Sequence, residues 1–208
     1  MLTPAELQAA LATEVVPFDP IVAPDDPAWI SASDLVHADD PTLTSLIDDL
    51  AAQRSTDDRV VAATLGWKGF AYLASLMPLA AWSRLGVVPD QHVHNLAVRL
   101  DTAPLVGFAL REFRMRGDGS VADAVDVWWG GLMEPLIERW RIEARVGRRS
   151  LEAMAVSHAV TIVGGSVETG VDDALDRIDE FVALDRPQRG QQIDGLRSGG
   201  IPREGGEP

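Results

Sequence analysis

The sequence predicts an α+β fold, mainly α-helical, with one small antiparallel β-hairpin between helical layers. Three observations carry this. Apolar residues recur at helical spacing before residue 86 and again after residue 120. Two segments, 96–100 and 105–110, instead alternate around a turn containing Pro104. Turn and cap residues, Gly86 and Gly117-Asp118-Gly119-Ser120, fall between the two kinds of pattern.

The elements follow in order. Thr3-Pro4-Ala5-Glu6 reads as a capping box with proline at the first helical position, and Leu7 and Leu11 carry that helix to about Glu14. Residues 15–29, rich in Pro and Asp, read as a loop. Asp40-Pro41 opens a second helix through Leu43, Leu46, Ile47 and Leu50. A third starts at Asp57 or Asp58, bends near Gly66 or Pro78 and ends at Gly86. A polar knot, Asp90-Gln91-His92-Val93-His94-Asn95, leads into the hairpin. Beyond it, Val121, Val125, Trp128, Leu132, Leu136 and Trp140 share one helical face, which Gly130-Gly131 and Pro135 should kink or split. Ser150 opens a helix expected to end at Gly164-Gly165, and Val171, Leu175, Ile178, Phe181 and Val182 mark a last amphipathic one. Residues 1–185 read as a single domain. Residues 186–208 have too few apolar side chains to offset ordering entropy and read as a disordered tail.

Composition removes several function classes. The net charge of -14 repels phosphate backbones and anionic lipid, so neither nucleic acid nor a membrane surface is an expected partner. The absence of cysteine excludes disulfides and Cys-ligated iron–sulfur clusters. The first residues have no basic n-region, and the longest near-apolar run, 69–82, is short for a bilayer and contains Pro78. A cytoplasmic protein without a membrane span is expected.

The knot holds two of the four histidines. If it is extended, Asp90, His92 and His94 share a face and form a candidate metal set for iron or zinc. The alternative is that His92 and Asn95 bond to backbone where helix meets hairpin. Glu112, at the end of the second strand, returns toward the knot. Arg111, Arg114 and Arg116 either bind an anion such as phosphate or a ligand carboxylate, or form a solvated strand end with a surface ion pair. Arg139, Arg141, Arg145, Arg148 and Arg149 read as a solvated helix with ion pairs, and His158 as a core histidine. No glycine-rich phosphate loop and no Gly-x-Ser-x-Gly elbow is present.

The run FAYLASLMPLAAWSRLGVVPDQHVHNLAVRL followed by LVGFALREF resembles the C-terminal domain of the IucA/IucC siderophore synthetases. Asp90, His92 and Asn95 match that family's acidic-x-His-x-x-Asn junction, and Arg111, Glu112 and Phe113 its basic-acidic-Phe element. The same region, with WWGGLMEPLIERWRIEARVGRRSLEAMAVSHAVTIVGG, resembles the FhuF-like ferric siderophore reductases. The likeness runs over roughly residues 40 to 165. The synthetases' N-terminal nucleotide-binding part is missing, Glu112 stands where they usually have Asp, and the reductases' cysteine-rich [2Fe–2S] segment is missing.

The resemblance therefore implies a FhuF-like protein of siderophore-iron metabolism without a cluster. It would bind a ferric siderophore or related anionic chelate, with His92, His94 and Asn95 as polar contacts, Arg111 or Arg114 meeting carboxylates, and a separate reductase as partner. Two alternatives remain open. One is an accessory module that binds ATP and magnesium through His92, Asn95 and Glu112, completed by a synthetase partner. The other is a non-catalytic protein-interaction subunit.

Overall fold

The computed structural model describes residues 2–11, 20–99 and 107–168. Its elements in chain order are α1 (Pro4–Leu11), β1 (Trp29–Ser31), α2 (Ala32–Val36), α3 (Thr42–Gln53), α4 (Arg59–Leu85), β2 (Leu96–Arg99), β3 (Gly107–Leu110), α5 (Val121–Val125), a π-helical segment (Asp126–Met133), α6 (Glu134–Ala144) and α7 (Arg148–Glu168). Mainly helical architecture with one small antiparallel sheet is what the sequence predicts. The end of the first helix toward Glu14, the hairpin turn, the amphipathic segment 171–182 and the tail 186–208 lie outside the described residues.

α4 is the axis of the fold. The Asp58 carboxylate caps it by accepting from the N–H groups of Val60 and Val61. Gly86 closes it in the left-handed region, at φ 65°, where a side chain would be strained. Its 27 residues run about 40 Å at 1.5 Å per residue. Among the described residues it is the helix long and apolar enough, by length and composition, to cross a membrane, which the short run 69–82 did not suggest. Some 61% of its most apolar window is buried against the rest of the fold, as in the core helix of a globular domain.

Aromatic rings fill the space around α4. Trp67 lies 5.3 Å from Trp140 of α6, and Phe70 5.1 Å from Phe108 of β3, centroid to centroid. The indole N–H groups of these two tryptophans are satisfied: Trp67 donates to the Leu151 carbonyl at 3.0 Å and Trp140 to the Ala63 carbonyl at 3.1 Å.

β2 and β3 form the expected hairpin, with Leu96 opposite Leu110 and Val98 opposite Phe108. The sheet has a third strand that the Pro- and Asp-rich stretch concealed. β1 pairs antiparallel with β2, Ile30 opposite Val98. On the far edge, the Ala23 N–H donates to the Leu110 carbonyl and the Leu110 N–H to that of Ile21, each at 2.8 Å. The chain between Ala23 and Trp29 therefore crosses from one sheet edge to the other. It passes over the face that carries Ala97, Ala109 and Gly107, while Leu96, Val98, Phe108 and Leu110 face the helical core.

The helix after residue 120 is split as expected, and one other helix prediction is corrected. The kink expected at Gly130-Gly131 is a π segment, in which the Glu134 N–H bonds five residues back to Trp129. The extra residue per turn widens the buried stripe, so Trp128 and Trp129, and Leu132 and Met133, are all buried. α7 does not end at Gly164-Gly165 but continues to Glu168. Glycine lowers helix stability by about 1 kcal/mol without forbidding the conformation.

Candidate functional site

The knot is fixed by bonds that two prolines make available. Pro78 has no N–H, so it cannot bond to the Ala74 carbonyl one turn earlier in α4. Gln91, 0% exposed, reaches in from the knot and donates to that carbonyl from Nε2 at 2.8 Å. Pro135 likewise offers nothing to Gly131, and the Val93 N–H donates to the Gly131 carbonyl at 3.0 Å. One short polar segment thus docks on both α4 and the π segment.

Asn95 is the third anchor, and its amide is spent on backbone. Nδ2 donates to the carbonyls of Asp90 at 2.7 Å and Glu112 at 3.0 Å, and Oδ1 accepts from the Glu112 N–H at 2.9 Å. With 6% of the residue exposed, Asn95 stitches the knot to the end of β3. Of the two readings for this residue, the backbone one is observed.

Asp90 and His92 form a pair, with the Nδ1–H of His92 donating to Asp90 Oδ1 at 2.6 Å. The knot is not extended throughout. It turns at residues 93–95, where the Asn95 N–H and Leu96 N–H both bond to the His92 carbonyl at 2.9 Å. Asp90, His92 and His94 therefore do not serve as three ligands around one point. No group of three or more His, Asp or Glu side chains is so arranged among the described residues. Exposed His94 instead sets its ring 5.4 Å from that of His92, at 30° between planes. The His92 ring lies so close over Gly131 that a Cβ there would overlap it.

Arg114 and Glu112 are an ion pair with each other on the open surface, about 60% exposed. Arg116 approaches Asp126 at 3.9 Å. Arg141 and Arg148 make the expected helical ion pairs with Glu138 and Glu152. Arg139 departs from the solvated reading: it is buried, donates to the carbonyls of His37 and Ala38, and pairs with Glu143 at 2.8 Å. The Thr44 hydroxyl, then Arg139 and Arg59, hold the Glu143 carboxyl below its ordinary pKa. This cluster ties α3, α4 and α6 together.

Arg111 is different. Its backbone N–H bonds to the Asn95 carbonyl at 2.7 Å, extending the ladder one residue past β3. Its guanidinium has no carboxylate within ion-pair reach among the described residues. It lines a cleft of about 250 Å³ with Ala23, Pro24, Asp25, Asp26, Trp29 and Ala97. The cleft exists because the crossing segment spans a sheet face that has only small residues at Ala97, Gly107 and Ala109, beside the larger Trp29 and Arg99. Trp29, whose indole N–H is buried without an acceptor among the described residues, forms part of the wall. Of these residues only Arg111 was anticipated. Trp29 and Ala97 carry no local signal, because their role comes from a strand pairing between residues about 70 apart in sequence.

No protein-family model matches the chain, and neither a curated protein nor a solved structure gives a significant match to it.

Proposed function

We propose that this protein acts in siderophore-iron metabolism by binding an anionic chelate through the Arg111 cleft. One observation supports the reading most directly: an arginine without an ion-pair partner among the described residues, in a protein of net charge -14, at a concave site walled by an indole. A guanidinium beside an aromatic wall suits a ligand carboxylate. The volume of about 250 Å³ lies just under the usual range for small-molecule sites. It suits one carboxylate-bearing limb of a chelator better than a whole ferric complex. The iron link itself rests on the sequence resemblance to FhuF-like proteins.

Tryptophan quenching tests the reading, with citrate, ferric citrate and a panel of ferric siderophores as probes. Saturable quenching is expected for the native protein, with loss in Arg111→Ala. Absence of saturable quenching by every probe sinks the proposal. A protein-interaction role is a second reading, supported by Val60, Val61 and Leu65, each more than 40% exposed on the first turns of α4. The nucleotide reading gains no such support, since the Asn95 amide is already committed to backbone.

A further inference from the structure

We infer that His92 and His94 form a two-nitrogen site for a late first-row divalent cation such as zinc, copper or nickel. It stands independently of the Arg111 cleft. Four observations bear on it.

The first is orientation. Asp90 accepts the Nδ1–H of His92 at 2.6 Å, which leaves the lone pair on Nε2, and no protein group among the described residues bonds to that nitrogen. A carboxylate behind an imidazole is the usual support of a metal-bound histidine; it fixes the tautomer and the orientation of the ring. Asp90 is therefore a positioning residue here and not a third ligand.

The second is spacing. With a metal–nitrogen bond of about 2.1 Å, an imidazole centroid lies about 3.2 Å from the ion, and two rings at a tetrahedral angle stand about 5.2 Å apart. The His92 and His94 centroids are 5.4 Å apart. Two imidazoles without thiolates suit zinc, copper or nickel better than magnesium or calcium. The remaining coordination positions are open to water or to the oxygens of a chelate.

The third is rigidity. Gln91, Val93 and Asn95, the residues on either side of the two histidines, are each tied down, to α4, to the π segment and to the end of β3. Gly131 lets the His92 ring lie flush on the π segment. A site built on such a base loses little freedom when the ion arrives. The fourth is field: a net charge of -14 concentrates cations around the molecule.

Zinc titration by calorimetry tests the site, with copper and paramagnetic resonance to count nitrogen ligands. The native protein should take up one zinc per chain, and copper should show two equivalent nitrogens. His94→Ala, at an exposed position that does not threaten folding, should abolish the zinc heat, and His92→Ala should do the same. Asp90→Asn should weaken binding by about 10–100-fold, as expected for loss of an orienting carboxylate. His37→Ala should change nothing. Failure to bind zinc, or zinc binding unaltered in His94→Ala, overturns the inference. A copper spectrum with a single nitrogen overturns it as well. Quenching at the Arg111 cleft is a separate readout, so either proposal can fail alone.

Discussion

Gln91 returns to Ala74 the hydrogen bond that the proline ring at position 78 withholds. The donor is a side chain from the polar knot, 17 residues on, and it is buried completely. Replacing it with leucine should cost about 1–3 kcal/mol, the usual penalty for an orphaned buried carbonyl. The sharper test is a double-mutant cycle. Pro78→Ala gives Ala74 a backbone donor, so Gln91→Leu should cost less in that background. Urea unfolding of the four proteins measures the coupling; purely additive effects would show that the two residues do not share this carbonyl.

Gly131→Ala should destabilise the fold by about 1–3 kcal/mol, because the new methyl overlaps the His92 ring. His92→Ala in the same chain should recover part of that loss. Thermal unfolding of the single and double variants decides it.

Asn95→Ala removes three hydrogen bonds, one within the knot to Asp90 and two to Glu112 past the end of β3. A loss of about 3 kcal/mol is expected from bonds of about 1 kcal/mol each. Asn95→Asp should be no better, since it sets a carboxylate against the carbonyls of Asp90 and Glu112. Denaturant titration followed by tryptophan fluorescence gives both values.

His158 sets a pH dependence. Burial holds its imidazole below the ordinary value of 6.5, opposed by a bond to the Lys68 backbone and aided by the Lys68 charge; the ring also meets Tyr72 edge-on at 5.3 Å. A depressed pKa means that the unfolded chain binds the proton first. The stabilisation is complete above pH 6.5 and is lost as pH falls toward the folded-state value. Relative to His158→Gln, the native protein should lose melting temperature as pH falls below 6.5. The Glu143 contribution has the same sign but a lower window, beginning below its ordinary 4.5, so the two separate.

Much of the fold is legible in short stretches of chain. Thr3 and Glu6 bond reciprocally as the capping box requires. Asp58 and Gly86 bound α4 where charge and backbone freedom place its ends. The hairpin pairs the two segments that alternate. Local rules suffice there, because capping and periodicity act over a few residues. The same rules hide β1, since a three-residue strand in a Pro- and Asp-rich stretch is made by its partner and not by its own pattern.

The candidate site divides along the same line. Composition and spacing by themselves determined an acidic, cysteine-free, mainly helical chain with a histidine-bearing polar knot between a long helix and a hairpin. Tertiary structure alone decided what each knot residue does. Asn95 and Gln91 are consumed by backbone, Asp90 backs His92, and Arg111 faces a cleft roofed by a segment more than 80 residues earlier. The reason is physical. A polar side chain bonds to the nearest unsatisfied group in space, and two of those groups are carbonyls exposed by prolines on separate helices. Nothing adjacent in sequence names them.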